Sequence, residues 1–322
     1  MPYIQTLEKN IWAHYIPPYK NELFTSWFFR LSQAHGVKSH SFAKYYFGKE
    51  QLWNRDIDNS ASDYLKKVIV ENSPLSDQDV ENLFLTSYET TLFEKKNING
   101  NTLGILPLGI YHRKRKNASL MYCSGCVGKK PYYKKAWRLS ISYFCTDCKI
   151  LLKDCCKSCG NGISFHRLEQ GNKNKILAQP LDTCSFCAAS LSSNWEYANS
   201  SQIFLQTKIN SILKDGYSKE FQYSFSYFKV LHIILLLISR KHNTWGRLRN
   251  ACEFEFGPLP IEDGSWYLWS IANRRILFET AFKIIEDFSF FQFLIQKHNL
   301  RLSEFKKDST LPYSFEKLFK SL

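Results

Sequence analysis

The stretch that decides the fold runs from Met121 to Gly160: MYCSGCVGKKPYYKKAWRLSISYFCTDCKILLKDCCKSCG. It holds the pairs Cys123-x2-Cys126, Cys145-x2-Cys148 and Cys156-x2-Cys159, and Cys184-x2-Cys187 follows. A C-x2-C pair turns two sulfurs toward one metal, and two such pairs close a tetrahedral S₄ site, the usual arrangement of structural zinc. The pairs are expected to combine in order, Cys123, Cys126, Cys145 and Cys148 around one zinc, Cys156, Cys159, Cys184 and Cys187 around a second. An interleaved cross-brace is the alternative. Four thiolates leave no open position for a catalytic water, so both ions read as structural. Iron also accepts four thiolates. Disulfides are disfavoured because MPYIQTLEKN does not read as a signal peptide, and reducing compartments keep thiols free. Cys155 abuts Cys156, but Cys156 gives the C-x2-C-Gly knuckle that ends at Gly160. Cys252 reads as buried packing.

Working outward, residues 116–190 form a tandem zinc-binding module, zinc-ribbon-like and poor in periodicity. Metal binding there is expected to supply the folding energy that burial cannot, roughly 10–16 kcal/mol per structural site. Residues 1–115 read as a helical domain. In NELFTSWFFRLSQAHG, Leu23, Phe24, Trp27, Phe28, Leu31 and Ala34 paint one face of a helix, with Asn21 as N-cap and Gly36 as C′ stop. A second helix is predicted after Ser39 or Ser41, carrying Phe42, Tyr45 and Tyr46. The pair is compatible with a helix-turn-helix, although a plain αα-hairpin is the favoured reading. Ser76 and Asp79 make a capping-box-like start for a third helix. Residues 191–322 form a C-terminal helical domain, with its best segments at 203–213, 224–240 and 266–296. The expected class is therefore mainly α, with a central double Cys₄ module.

The chain has 322 residues, 44% of them hydrophobic, which excludes global disorder. Its longest apolar run, VLHIILLLI at 230–238, is about half the ~20 residues needed to cross a bilayer. A cytoplasmic, nucleoid-associated protein with no membrane partner is expected. The formal net charge of +14 falls to about +10 once two Zn(Cys)₄ sites carry −2 each, and still favours a polyanionic partner. From Lys95 to Thr146 there is no Asp or Glu. The candidate nucleic-acid contacts in that stretch are Arg113, Lys114, Arg115, Lys116, Lys129, Lys130, Lys134, Lys135 and Arg138, with Tyr132, Tyr133 and Trp137 interleaved for stacking. Solvated charge around a zinc knuckle, with Trp137 in the core, is the plainer reading. No phosphate-cradling loop, H-E-x-x-H or G-x-S-x-G occurs, so the sequence does not read as an enzyme. His35, His40 and His166 read as ordinary surface or core residues.

Pro18, ELFTSWFFRLSQAHG at 22–36, LSDQDVENLFLTSYETTLF at 75–93, YC-x2-C at 122–126, Trp137, the Cys145 knuckle and Cys156-x2-Cys159-Gly160 occur in that order. NRRILFETAFKIIEDFSFFQFLI at 273–295 completes the set. Together they resemble the TniQ family, which includes TnsD-type transposon target selectors. The family's second knuckle often reads C-P-x-H, whereas this chain has Cys145-Thr146-Asp147-Cys148. The resemblance implies a non-catalytic adaptor that links a target-recognition complex to a TnsC-like AAA+ regulator, which recruits the transposase. An RNA-guided Cascade complex with its guide RNA, engaged often by a homodimer, is the favoured target complex. Direct reading of target DNA at a chromosomal site, as in TnsD, is the alternative. A stand-alone zinc-containing DNA-binding regulator is the reading outside transposition.

Overall fold

The structure is a computed structural model that describes residues 10–48, 52–97, 100–112, 114–169, 179–240, 246–306 and 310–320. It is mainly helical, with short two-residue strands. Its contacts divide the chain into two compact units, neither of them continuous in sequence. One takes residues 1–87, 107–139 and 152–196; the other takes 88–106, 140–151 and 197–322. The three consecutive segments expected above follow composition, whereas packing interleaves the chain.

The first unit is built around α1 (Phe24–Ala34), whose Phe24, Trp27, Phe28, Phe29 and Leu31 are fully buried. α2 (Ser39–Phe47) packs on it through Phe42 and Phe47, which lie 5.3 and 5.2 Å from the Phe28 ring. Gly36 has φ +65° and ends α1 as expected. Asn21 is not its N-cap. That residue has φ +60°, Leu23 occupies the cap position, and no side chain caps there. The first amide groups are satisfied from far along the chain instead. Leu23 donates to the Tyr133 carbonyl (2.8 Å), Phe24 to the Leu83 carbonyl (3.0 Å) and Thr25 to Asp58 Oδ1 (2.9 Å). Orphan helix donors need partners, and here tertiary structure provides them.

Asp58 belongs to α3 (Ile57–Ser60) and also accepts from Thr25 Oγ1 at 2.7 Å. α4 (Asp63–Glu71) starts on a Ser62 cap, and α5 (Asp77–Glu81) on the expected Ser76–Asp79 capping box. α5 is short, and a 3₁₀ turn at Leu85–Tyr88 follows it. Also in this unit are the paired strands β1 (Ile110–Tyr111) and β2 (Lys114–Arg115), and α6 (Ser124–Lys129).

The second unit contains the antiparallel strands β3 (Phe144–Cys145) and β4 (Ile150–Leu151). α7 (Ser200–Asp215) clamps them through buried Gln206, whose Oε1 accepts from the Tyr143 and Phe144 amides while its Nε2 donates to the Ile141 carbonyl. α8 (Ser224–Ile238) is the apolar run, and burial pushes His232 within it down to about 4, so it is neutral. No helix among the described residues is long and apolar enough to cross a membrane. Arg249, fully buried in α9 (Arg247–Phe256), donates to the Ile238 and Leu259 carbonyls at 2.6 Å each. The run expected at 266–296 is divided. A 3₁₀ turn at Trp266–Leu268 precedes α10 (Ile271–Glu286), and α11 (Phe288–His298) begins again at Asp287, whose Oδ1 accepts from the Ser289 and Phe290 amides. A short acceptor in the helical run starts a new N-terminus there. α12 (Leu302–Phe305) and α13 (Tyr313–Lys320) close the unit, with Phe305 and Phe315 within 5.8 Å of the Phe291 ring.

Asp58 makes a test of the first unit. Burial raises its carboxyl from the usual range to about 6, against the pull of Arg138. A raised folded-state value means that the folded protein holds this proton more tightly, so stability falls as pH rises from about 4 to about 6. Asp58→Asn removes that titration. Denaturant unfolding of both proteins at pH 5 and pH 7 is expected to show the stability difference shifting in the variant's favour by about 1 kcal/mol at the higher pH. Parallel pH dependences of the two proteins would reject the assignment.

Candidate metal centres and basic surface

Two groups of four cysteines bring their sulfurs within 4.8 Å of one another: Cys123, Cys126, Cys145 and Cys148, and Cys156, Cys159, Cys184 and Cys187. The pairing is sequential, as expected, with no cross-brace. In the second group the Sγ atoms of Cys156 and Cys187 are 3.7 Å apart, as are those of Cys159 and Cys184. A disulfide needs about 2.05 Å. A tetrahedron with arms of about 2.3 Å, the zinc–thiolate length, has edges of about 3.8 Å, so these sulfurs fit such an ion. Cys155 lies outside both groups and its carbonyl accepts from Tyr122 Oη. Cys252 is fully buried, as packing requires.

The knuckles are made locally. The amides of Lys149, Gly160 and Ala188 donate back to the carbonyls of Cys145, Cys156 and Cys184 at 2.8 to 2.9 Å. All three sit at positive φ, +57°, +72° and +58°. Only Gly160 takes that conformation without a Cβ penalty, and Lys149 and Ala188 hold it against a cost of about 1 kcal/mol each. The Cys123 knuckle differs, since it opens α6 and Cys123 Sγ accepts from the Cys126 amide. Hydrogen bonds from the Asn161 backbone and side chain bring the Cys159 thiol down to about 6, while burial pushes Cys184 up to about 12. Metal loading therefore releases protons, and acid opposes it.

The basic residues separate into two kinds. In the β1–β2 pair, Lys114 is exposed and Arg115 turns inward, as strand alternation requires. Arg115 donates to the Ile163 carbonyl and stacks 5.1 Å from the Phe165 centroid, and burial lowers it to about 10. Lys116 is exposed beside the Tyr111 ring. Lys129 and Lys130 are exposed at the end of α6, and Lys134 is half-buried against Trp137. Lys135 and Arg138 do not belong to a nucleic-acid surface. Lys135 is buried and donates to Ser87 Oγ at 2.7 Å, and burial brings it down to about 8. Arg138 is 0% exposed and pairs with Asp56 Oδ2 at 2.6 Å and Asp58 Oδ2 at 3.7 Å. Tyr133 and Trp137 are buried as well, which removes them as stacking platforms. Arg113 lies outside the described residues. His166, as expected, is a packing residue, stacked 5.1 Å from Trp53.

Three carboxylates organise this region, Glu22, Asp56 and Asp58; in sequence Asp56 and Asp58 stand out only as acidic residues that suggest no metal-binding nuclease cluster, and Glu22 does not stand out at all. Glu22 is fully buried at the start of α1, where it accepts from Ser26 Oγ, the Tyr19 amide and both Nε and Nη2 of Arg30. No local pattern marks it, because its partners are spread over a loop and two helical turns.

Residues 14–152 match the profile of the TniQ family. The chain carries a TniQ domain. Such a domain indicates a protein of transposition target selection. The TniQ domain takes in α1 to α5, the first group of cysteines and the exposed lysines at 114, 116, 129 and 130. It ends before Cys156, so the second cysteine group, the helices from α7 onward and the segment 273–295 of the resemblance lie beyond the match. A search among curated proteins finds no match to the chain.

Metal analysis of the purified protein is expected to give two equivalents per chain. Cys159→Ser and Cys184→Ser should each lose one, whereas Cys155→Ser keeps both. Loss of metal in the Cys155 variant would overturn the ligand assignment.

Proposed function

We propose that this protein is a non-catalytic adaptor of transposition target selection, stapled by two structural zinc ions. Zinc is favoured by the S₄ donor set and by sulfur separations that suit its bond length. The observation that carries the reading is the TniQ match, whose span includes both the buried α1 hub and the exposed lysines.

In this reading Lys114, Lys116, Lys129 and Lys130 contact phosphates of the target complex, and the protein hands that complex to a TnsC-like AAA+ regulator. The target complex is a guide-RNA-bearing Cascade assembly, with a homodimer of this chain engaged on it. The chemistry asked of the lysines is positional, because ammonium–phosphate contacts hold register without reading bases. Arg138 and Lys135 serve the same task indirectly by fixing the segment between the knuckles.

The test is affinity purification from the native host at two salt concentrations, with bound proteins and nucleic acids identified. An AAA+ ATPase with Cascade subunits and short guide RNA is expected. An ATPase with one enriched chromosomal site would make the protein a direct DNA reader, and absence of any transposition protein at low salt would reject the adaptor. Charge reversal of the four exposed lysines is expected to weaken nucleic-acid retention and flatten its salt dependence, by about one unit of slope per lost phosphate contact, with metal content unchanged. Arg138→Glu should instead destabilise the fold, since it places a third carboxylate beside Asp56 and Asp58 in a buried site.

A further inference from the structure

The second unit carries an exposed aromatic stripe that none of the preceding functions uses. On α11, Phe290, Phe293 and Lys297 fall at spacings of three and four, on a face adjoining that of buried Phe291, Leu294 and Ile295. At the end of α9, Phe254 and Phe256 continue the stripe. Phe254 is 72% exposed, Phe293 44% and Phe256 36%. The rings form a connected series: Phe256 is 5.7 Å from Phe290, which is 6.0 Å from Phe293. Lys297 Nζ lies over both Phe254 (4.7 Å) and Phe293 (5.1 Å), and Lys283 Nζ lies 5.2 Å from the Phe256 centroid. Contiguous exposed apolar surface with a polar rim marks an interaction site more often than chance exposure does.

Phe254 is also one wall of a cleft of about 950 Å³. Its floor is apolar, from buried Ile295 and Leu300, and its rim carries Arg247, Asn250 and Arg301. Around stripe and cleft, four cations, Lys283, Lys297, Arg247 and Arg301, face the carboxylates Glu255 and Glu304. Glu255 bonds to Lys297 and His298, and Glu304 lies 3.7 Å from Arg247. Asp287, which caps α11, keeps its charge, so four cations stand against three carboxylates and the excess is one positive charge.

We infer that this face docks an acidic, apolar peptide segment of a protein partner, with bulky side chains in the cleft and along the rings and carboxylates on the lysine and arginine rim. Charge complementarity selects this occupant. A base-stacking platform presents open ring faces, whereas Lys297 and Lys283 already sit on the faces of Phe254, Phe293 and Phe256. Those ammonium groups leave ring edges and the cleft floor for apolar contact, and hold positive charge where a carboxylate would arrive. An amphipathic helix laid into a groove uses this combination of anchors at helical spacing and polar flanks. The inference does not rest on the transposition reading, because it concerns other residues and the chemistry of this face alone.

The test uses the full-length, metal-loaded chain and a displayed library of random peptides about 16 residues long, counter-selected on the variants Phe254→Ser and Lys297→Glu. Enriched peptides are expected to combine Asp or Glu with bulky apolar residues three and four apart. A synthetic copy, labelled for anisotropy, should bind each variant at least ~10-fold more weakly, as loss of an aromatic or charged anchor does. Far-ultraviolet circular dichroism and metal content of both variants are compared with the parent, and Phe293→Ser replaces either one that departs from it. Enrichment of basic peptides, no enrichment over the variants, or displacement of the peptide by a single-stranded oligonucleotide with the same sensitivity to Phe254→Ser would overturn the inference. The lysine reversals at 114, 116, 129 and 130 should leave peptide binding unchanged, so its outcome is separable from that of the adaptor test.

Discussion

A buried carboxylate at the start of α1 is the constraint on which the first unit depends. Asp58 is 1% exposed and holds Thr25 through both its amide and its hydroxyl. An ionised group in that position is tolerable only with a counter-charge, and Arg138 supplies it while also binding Asp56 in two-pronged geometry, at 3.1 and 2.6 Å. The same helix start takes backbone bonds from Tyr133 and Leu83. Three segments far apart in sequence thus converge on one helix terminus, and the apolar face of α1 is aimed by polar groups.

That arrangement requires residues 133–138 to be held in place, and they sit in a region of little periodicity. Part of the support comes from backbone pairing beside the knuckles. Tyr122 and Lys153 exchange amide–carbonyl bonds of 2.7 and 2.9 Å, and Tyr122 Oη donates to the Cys155 carbonyl. The residue before Cys123 is therefore tied to the segment that leads into Cys156. Lys149 closes a knuckle of the first cysteine group and Ala188 one of the second, and metal bound at each, worth of order ten kcal/mol, would be a proportionate explanation for why both tolerate left-handed backbone. The cysteine knuckles and the polar network are two parts of one support.

How far the sequence could be read follows from the range of each interaction. The cysteine pairs were legible because ligand spacing is local, and so were the Gly36 stop and the Ser76–Asp79 box. The Asn21 cap failed because the donors it was expected to satisfy are taken by Tyr133, Leu83 and Asp58, which no local pattern announces. The 266–296 helix failed at Asp287 for the opposite reason: the signal was local, a short acceptor inside an apolar run, and periodicity outweighed it. The fate of Lys135 and Arg138 could not be read at all. A stretch without carboxylates looks unpaired in sequence, yet its partners come from Asp56, Asp58 and Ser87.

Burying such residues does not remove the basic character of the molecule, and this bears on where a polyanion would bind. Arg138 goes inside together with the carboxylates that neutralise it, so pairing withdraws positive and negative charge in step. The excess of Lys and Arg over Asp and Glu must then be expressed by side chains that remain outside. In the first unit Lys114, Lys116, Lys129 and Lys130 express part of it, with Lys116 beside the exposed Tyr111 ring and Lys130 beside Tyr19, a chemistry suited to phosphates and to strong dependence on salt. In the second unit Lys283 and Lys297 express part of it while resting on exposed phenylalanine rings, where contact with a partner would be partly desolvated and less sensitive to salt.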